Sequence, residues 1–159
     1  MKSILFRPIN IENKDEQNLV REFLADTKGI GGMKLEDEEF DAYRTAIKVR
    51  QEISPDFSVF AFLDQKIIGF LDVFPRKGYP AVGFVTFIYL LPVFRRQGLG
   101  KKLEKYALDL LKKYKCSHFE LNVFSKNLNA LKFYEKHDWK IISQKDGFYR
   151  MKKEPGITQ

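Results

Sequence analysis

Residues 81–114 constrain the fold more than any other stretch. Ala81 to Leu91 is long, aromatic and β-branched, the composition of a central strand. The apolar run ends at Pro92, and a short basic turn follows, Arg95-Arg96-Gln97-Gly98-Leu99-Gly100. Then Leu99, Leu103, Tyr106, Ala107, Leu110, Leu111 and Tyr114 recur at helical spacing, with lysines on the opposite face. Strand, turn and helix in that order aim several backbone N–H groups at one point. Glycine leaves room for an anion to approach the chain, and the helix N-terminus adds partial positive charge. Arg95, Arg96 and Lys101 add full charges. The stretch reads as a cradle for paired phosphates at the end of a strand; it would also suit an ordinary turn with Gly98 closing the bend.

The elements on either side follow from periodicity and punctuation. Ile4 to Arg7 is a short strand before Pro8. Asn13 or Asp15 caps a helix through Ala25, with Leu19, Val20, Phe23 and Leu24 on one face. Lys28 to Met33 contains three glycines and reads as a mobile loop. A second helix runs from about Glu36 to Glu52 and ends at Ser54-Pro55-Asp56. Phe57–Leu63 and Ile67–Phe74 form a hairpin about Asp64-Gln65-Lys66, with Gly69 at a bulge, and Pro75–Pro80 is a loop. His118 to Phe124 alternates as a strand, and Ser125 or Asn127 caps a short helix to about His137. Trp139–Ser143 and Phe148–Met151 close the chain as a hairpin about Lys145-Asp146-Gly147. The order β-αα-ββ-β-α-β-α-ββ predicts an α/β fold, one mixed sheet with helices on both faces. Without a repeat or linker, residues 1–154 are expected to form one domain and 155–159 a frayed tail.

Composition excludes several classes. A chain of 159 residues with 44% hydrophobic content can bury a core and is not disordered. Cys116 is the single cysteine and His118 and His137 are the only histidines, so neither an internal disulfide nor a metal site is expected. No stretch is long and apolar enough to span a bilayer, and Met1 to Pro8 is too short and charged for a signal peptide, which points to the cytoplasm. The net charge of +7 favours an anionic partner, either nucleic acid or a phosphorylated cofactor. No aromatic-basic RNA motif or recognition-helix pattern accompanies it.

The basic turn resembles the pyrophosphate loop of the GCN5-related N-acetyltransferases (the GNAT family), Gln/Arg-x-x-Gly-x-Gly/Ala. A second stretch is similar to the same family's later motif, Asn-x-x-Ala-x-x-Phe-Tyr-Glu-Lys-x-Gly-Phe. Asn127, Ala130, Phe133, Tyr134, Glu135 and Lys136 match it position by position. The departure is Asp138-Trp139 in place of Gly-Phe. Gly there would take a left-handed helix end; Asp can do so at some cost, and Trp139 can fill the aromatic slot.

The resemblance implies direct transfer of acetyl from acetyl-CoA to the amine of a small molecule or protein. It implies that the strands around Phe87–Leu91 and His118–Phe124 splay apart, with the pantetheine arm along the edge of the first. Leu90 and Leu91 would meet the cofactor, and the Leu90 N–H would also bind the oxyanion of the tetrahedral intermediate. Arg95, Arg96, Gln97, Gly98, Leu99, Gly100 and Lys101 would hold the pyrophosphate. Asn127 would touch the cofactor arm or order the site. Tyr134 would protonate the leaving thiolate or anchor the cofactor. Where some members place a basic Glu, this chain has Asn122, which can orient a water; Glu120 shares its face by strand alternation and is the nearest carboxylate. The substrate side would involve Gly29 to Met33, the acidic run Glu36 to Asp41 and an aromatic wall of Tyr79, Phe84 and Tyr89. Acid there would suit a cationic acceptor; it also suits a helix N-terminus. Many relatives dimerise, and no feature here locates an interface. A CoA-binding regulatory domain that lost catalysis is the alternative, and thiol release from acetyl-CoA with an amine panel would separate the two.

Overall fold

The computed structural model describes residues 3–78 and 81–156. Tyr79 and residues 157–159 of the expected tail lie outside the described residues. The elements are β1 (Leu5–Pro8), α1 (Lys14–Ile30), α2 (Asp37–Ile53), β2 (Ser58–Leu63), β3 (Lys66–Arg76) and β4 (Val82–Leu90), then α3 (Leu99–Lys112), β5 (His118–Phe124), α4 (Leu128–Lys136), β6 (Lys140–Lys145) and β7 (Phe148–Lys153). Single 3-10 turns at Pro55–Phe57 and Pro92–Phe94 precede β2 and the basic loop. The order is the one the sequence predicts. Among the described residues the strands form one sheet, β1-β2-β3-β4-β5-β7-β6. The β4–β5 pair is parallel, as a crossover through a helix requires. The β1–β2, β2–β3, β5–β7 and β6–β7 pairs are antiparallel.

Both hairpins turn on two residues at positive φ, Asp64-Gln65 and Asp146-Gly147, the twist that two-residue loops need. Asn13 caps α1, its side chain accepting from the Glu16 N–H at 3.0 Å. Two expectations fail in their limits. α1 runs past Ala25 and through Gly29 to Ile30. One helical Gly costs about 1 kcal/mol, and the Gly31 cap, bonded to the Lys28 carbonyl, and the Lys28–Glu39 ion pair hold the extra turn. β3 also continues through Pro75 to Arg76; proline removes one donor and is tolerated near a strand end.

The chain resolves into two compact units, residues 1–72 with 87–105 and residues 73–86 with 106–159. In the first, Val20, Phe23, Leu24, Phe40 and Ile47 of α1 and α2 pack with Phe60, Phe70 and Tyr89. The ring of Phe23 stacks on Tyr89 with centroids 4.6 Å apart. A buried charge lies beneath α2: Asp72 accepts from Ser58 at 2.7 Å and Tyr43 at 2.8 Å and pairs with Arg50. Burial raises its pKa, against the pull of the Arg50 charge and of hydrogen bonds from Ser58 and Tyr43.

Gly69 follows the β-bulge opposite Ala61 and Phe62. A Cβ built there would sit 2.2 Å from the Tyr89 carbonyl oxygen and 3.3 Å from Leu103 of α3. The next side chain, Phe70, stacks on Phe23 of α1. Neighbouring residues of a strand point to opposite faces, so α1 and α3 cover opposite faces of β3. The second unit places Gly83 under Phe119 and Leu111 and buries Trp139, Leu121 and Met151. Gly69→Ala forces backbone against backbone, so a loss of about 3 kcal/mol is expected, read as a lower urea midpoint; an unchanged midpoint would show that the strands part freely there.

Candidate active site

The basic loop belongs to the first unit. Phe94 and Arg95 turn their amides inward, onto the carbonyls of Leu91 at 2.9 Å and Pro92 at 3.1 Å. Beyond them the backbone opens. Arg96 and Gly98 are left-handed, at φ 62° and 79°. Among the described residues, no backbone carbonyl accepts from the amides of Arg96, Gln97 or Gly98. Leu99 and Gly100 begin α3, where first-turn amides have no intrahelical acceptor. Arginine in the left-handed region costs about 1–2 kcal/mol, a strain that clusters at functional sites. The loop is therefore a row of donors beside the exposed side chains of Arg96 and Lys101. The Gln97 side chain is tied locally, its Nε2 donating to the Val93 carbonyl at 3.1 Å.

Arg95 points elsewhere. Its Nε donates to the Leu90 carbonyl at 2.8 Å, its guanidinium lies 3.7 Å from Asp26 and stands over the Tyr89 ring. Tyr89 donates its hydroxyl to Asp26 at 2.6 Å; burial first, then that carboxylate, raises the phenol pKa. The backbone of β4 is equally committed. Leu91 N–H donates to the Ile68 carbonyl at 2.8 Å, and the Tyr89 carbonyl faces Gly69. Residues 89 and 91 thus face β3, and alternation turns the N–H and C=O of Leu90 away from it.

The second unit carries the other expected residues. Asn127 is the cap of α4, its side chain accepting from the Ala130 N–H at 3.2 Å. Asp138 takes φ 71°, and the Trp139 N–H closes the helix end on the Tyr134 carbonyl at 3.0 Å. Trp139 is buried edge-on to the Tyr134 ring, so the departure from Gly-Phe leaves the turn intact. β5 buries Phe119, Leu121 and Val123 and turns Glu120 and Asn122 to the other face. Its ladder with β4 joins Val82–Val85 to His118–Leu121. Just after it, the buried Thr86 hydroxyl has no hydrogen-bond partner among the described residues.

The model of the acetyltransferase (GNAT) family matches residues 18–139, most of the chain. The chain belongs to this family. Solved structures agree in fold. A protein of Pyrococcus horikoshii OT3 is 25% identical, with a TM-score of 0.74, covering 98% of this chain and 100% of its own. The PaiA N-acetyltransferase of Thermoplasma acidophilum, solved with coenzyme A, is 22% identical at a TM-score of 0.73, covering 96% and 99%. Arabidopsis thaliana Naa50, solved with a CoA–acetyl-peptide bisubstrate analogue, is 17% identical at 0.67, covering 96% and 99%. A search of curated protein sequences gives no match.

Two residues of this GNAT chain escaped the sequence reading. Arg150 of β7 donates from Nε to Asn122 Oδ1 at 2.6 Å and from Nη1 to Glu120 Oε1 at 2.8 Å. His118 Nε2 lies 2.6 Å from the other Glu120 oxygen, and its Nδ1 lies 2.9 Å from Ser117 Oγ. Only the β5–β7 register, which pairs Asn122 with Arg150, could reveal the first. Phe84 of the expected aromatic wall lies under the Arg150 guanidinium, whereas Tyr89 belongs to the core of the first unit. The acidic run forms ion pairs, Asp37 with Arg21 and Asp41 with Arg44.

Burial alone would raise the Glu120 pKa, but hydrogen bonds and charge from His118 and Arg150 outweigh it and hold the carboxyl below 4.5. A depressed folded-state pKa stabilises above the unfolded value, and that stability is lost as pH falls through the folded value. The melting temperature should therefore fall more steeply below about pH 4.5 in the wild type than in Glu120→Gln. Parallel curves would show that Glu120 is not linked to folding.

Proposed function

We propose that this chain is an N-acetyltransferase that moves the acetyl group of acetyl-CoA directly to a primary amine of a small molecule or peptide. The observation that carries the reading is the row of amides from Arg96 to Gly100, open among the described residues and set at the head of α3. Diphosphate oxygens are the ligand such a row suits. Family membership supports the assignment, as do the similar Thermoplasma and Arabidopsis proteins, solved with coenzyme A and a CoA conjugate.

Acetyl-CoA supplies an activated acyl carbon and a thiolate leaving group. An alkyl amine, with a pKa of about 10.4, must first lose a proton. Its nitrogen then attacks the thioester carbon, the carbonyl oxygen becomes an oxyanion, and the C–S bond breaks. We assign the oxyanion to the Leu90 N–H, which faces away from β3. Tyr134 donates its phenolic proton to the departing sulfur and regains one through water from the nitrogen, which carries one proton too many after its attack; a phenol holds such a proton at neutral pH. Arg96, Lys101 and the loop amides hold the pyrophosphate. Leu91, whose amide serves Ile68, can meet the cofactor only through its side chain. Arg95 acts by fixing Leu90, and Asn127 by starting α4. Glu120, bonded through both oxygens and lowered in pKa, is a weak base. The amine proton therefore leaves through water. That engagement of Glu120 is also what favours the competing reading of a CoA-binding regulatory domain, and thiol release with an amine panel decides between them.

Tyr134→Phe should lower kcat by about a hundredfold while leaving KM for acetyl-CoA unchanged in steady-state thiol release; an unaltered kcat would remove Tyr134 from the chemistry. Arg95→Met should likewise lower kcat, through a misplaced Leu90 amide, with little change in KM for acetyl-CoA. A raised KM with kcat intact would instead make Arg95 a phosphate ligand.

A further inference from the structure

Beside β5 an open cleft of about 490 Å³ is lined in part by Glu120, Asn122, Ser143, Lys145, Asp146 and Arg150. Its polarity is set by Arg150. A guanidinium carries donors only, so the Asn122 atom that faces Arg150 Nε at 2.6 Å is the amide oxygen. The Asn122 NH2 is thereby turned away from Arg150 and left to the cleft. Glu120 has one oxygen on Arg150 and the other on His118, so its charge is already countered by Arg150, although each oxygen keeps a second lone pair. Among the described residues Arg150 uses two of its N–H groups on the protein, out of the five a guanidinium carries. The wall thus offers the Asn122 NH2, the remaining Arg150 donors and the Lys145 ammonium. Asp146 is the carboxylate not occupied in this way, at the tip of the β6–β7 turn. A polyamine would meet Arg150 and Lys145 as well as the two carboxylates, of which Glu120 is already paired with Arg150. A carboxylate or amide carbonyl would find donors.

Building on the acetyltransferase reading, we propose that this cleft binds the acceptor through an oxygen, so that the amine substrate carries a carboxylate or an amide carbonyl, as an amino acid or a peptide does. This goes against the cationic acceptor that the acidic run first suggested. Arg150 is then the positioning residue that fixes which end of Asn122 meets the substrate.

The test is steady-state acetylation by the full chain of free amino acids, the matching amino-acid amides, the matching decarboxylated amines and spermidine. The acids or amides should exceed the decarboxylated amines at least tenfold in kcat/KM, and Asn122→Asp, which replaces the donor with a negative acceptor, should collapse that ratio. Preference for the free acid over its amide identifies a carboxylate ligand, and equality identifies the carbonyl. Spermidine or the decarboxylated amines matching the acids would overturn the proposal, as would a ratio unmoved by Asn122→Asp. Titration with an N-acetyl amino acid, without acetyl-CoA, should shift the Asn122 side-chain amide resonances, and silent resonances would overturn the proposal whatever the activity. Shifts without acetyl transfer in any arm would uphold the site and remove the enzymatic reading instead.

Discussion

The hydrogen bond from the Leu91 N–H to the Ile68 carbonyl fixes the end of β4, and much of the proposed chemistry depends on it. With Leu91 committed to β3 and the Tyr89 carbonyl pressed over Gly69, Leu90 has one orientation left. Arg95 then reaches back from the loop to the Leu90 carbonyl and ties it to Asp26 and Tyr89. A donor aimed at a developing oxyanion gains from being fixed before the reaction, because no reorganisation is needed when charge appears. Gly69 is thus a packing residue with a consequence for the proposed catalysis, since any side chain there would displace the strand that carries Leu90.

Charge is handled differently in the two units. In the first, Asp72 is fully buried and satisfied by Ser58, Tyr43 and Arg50, an arrangement that fastens α2 to β3. Removing one partner would strand a charge without water, so such a network specifies geometry more than it adds stability. In the second, Glu120 is only partly buried and draws its partners, His118 and Arg150, into a polar wall beside a cleft. A carboxylate anchors a helix in one place and orders a surface in the other; the difference lies in what its partners are left free to do.

Element order was legible in the sequence because periodicity reports which face of a segment is buried. The Leu99–Leu111 stripe, the alternation of His118–Phe124 and the Asn127 cap all reappear in the structure. The left-handed Asp138 was legible as well, since a helix that ends in a reversal needs positive φ whatever residue occupies it. The end of α1 was not. Glycines at 29, 31 and 32 suggested a loop from Lys28 on, whereas capping by Gly31 and the Lys28–Glu39 pair, which spans a turn and a second helix, carried the helix onward.

The sequence by itself determined the order of the elements, the family to which they belong and the position of the open amide row, because each rests on contacts between near neighbours. Tertiary structure alone decided what the charged side chains do. Arg95 looked like a phosphate ligand and is held by Leu90 and Asp26; Glu120 looked like a base and is held by His118 and Arg150. The reason is physical. A charged group's basicity and reach are set by the partners that surround it, and strand register and helix packing bring those partners from distant parts of the chain.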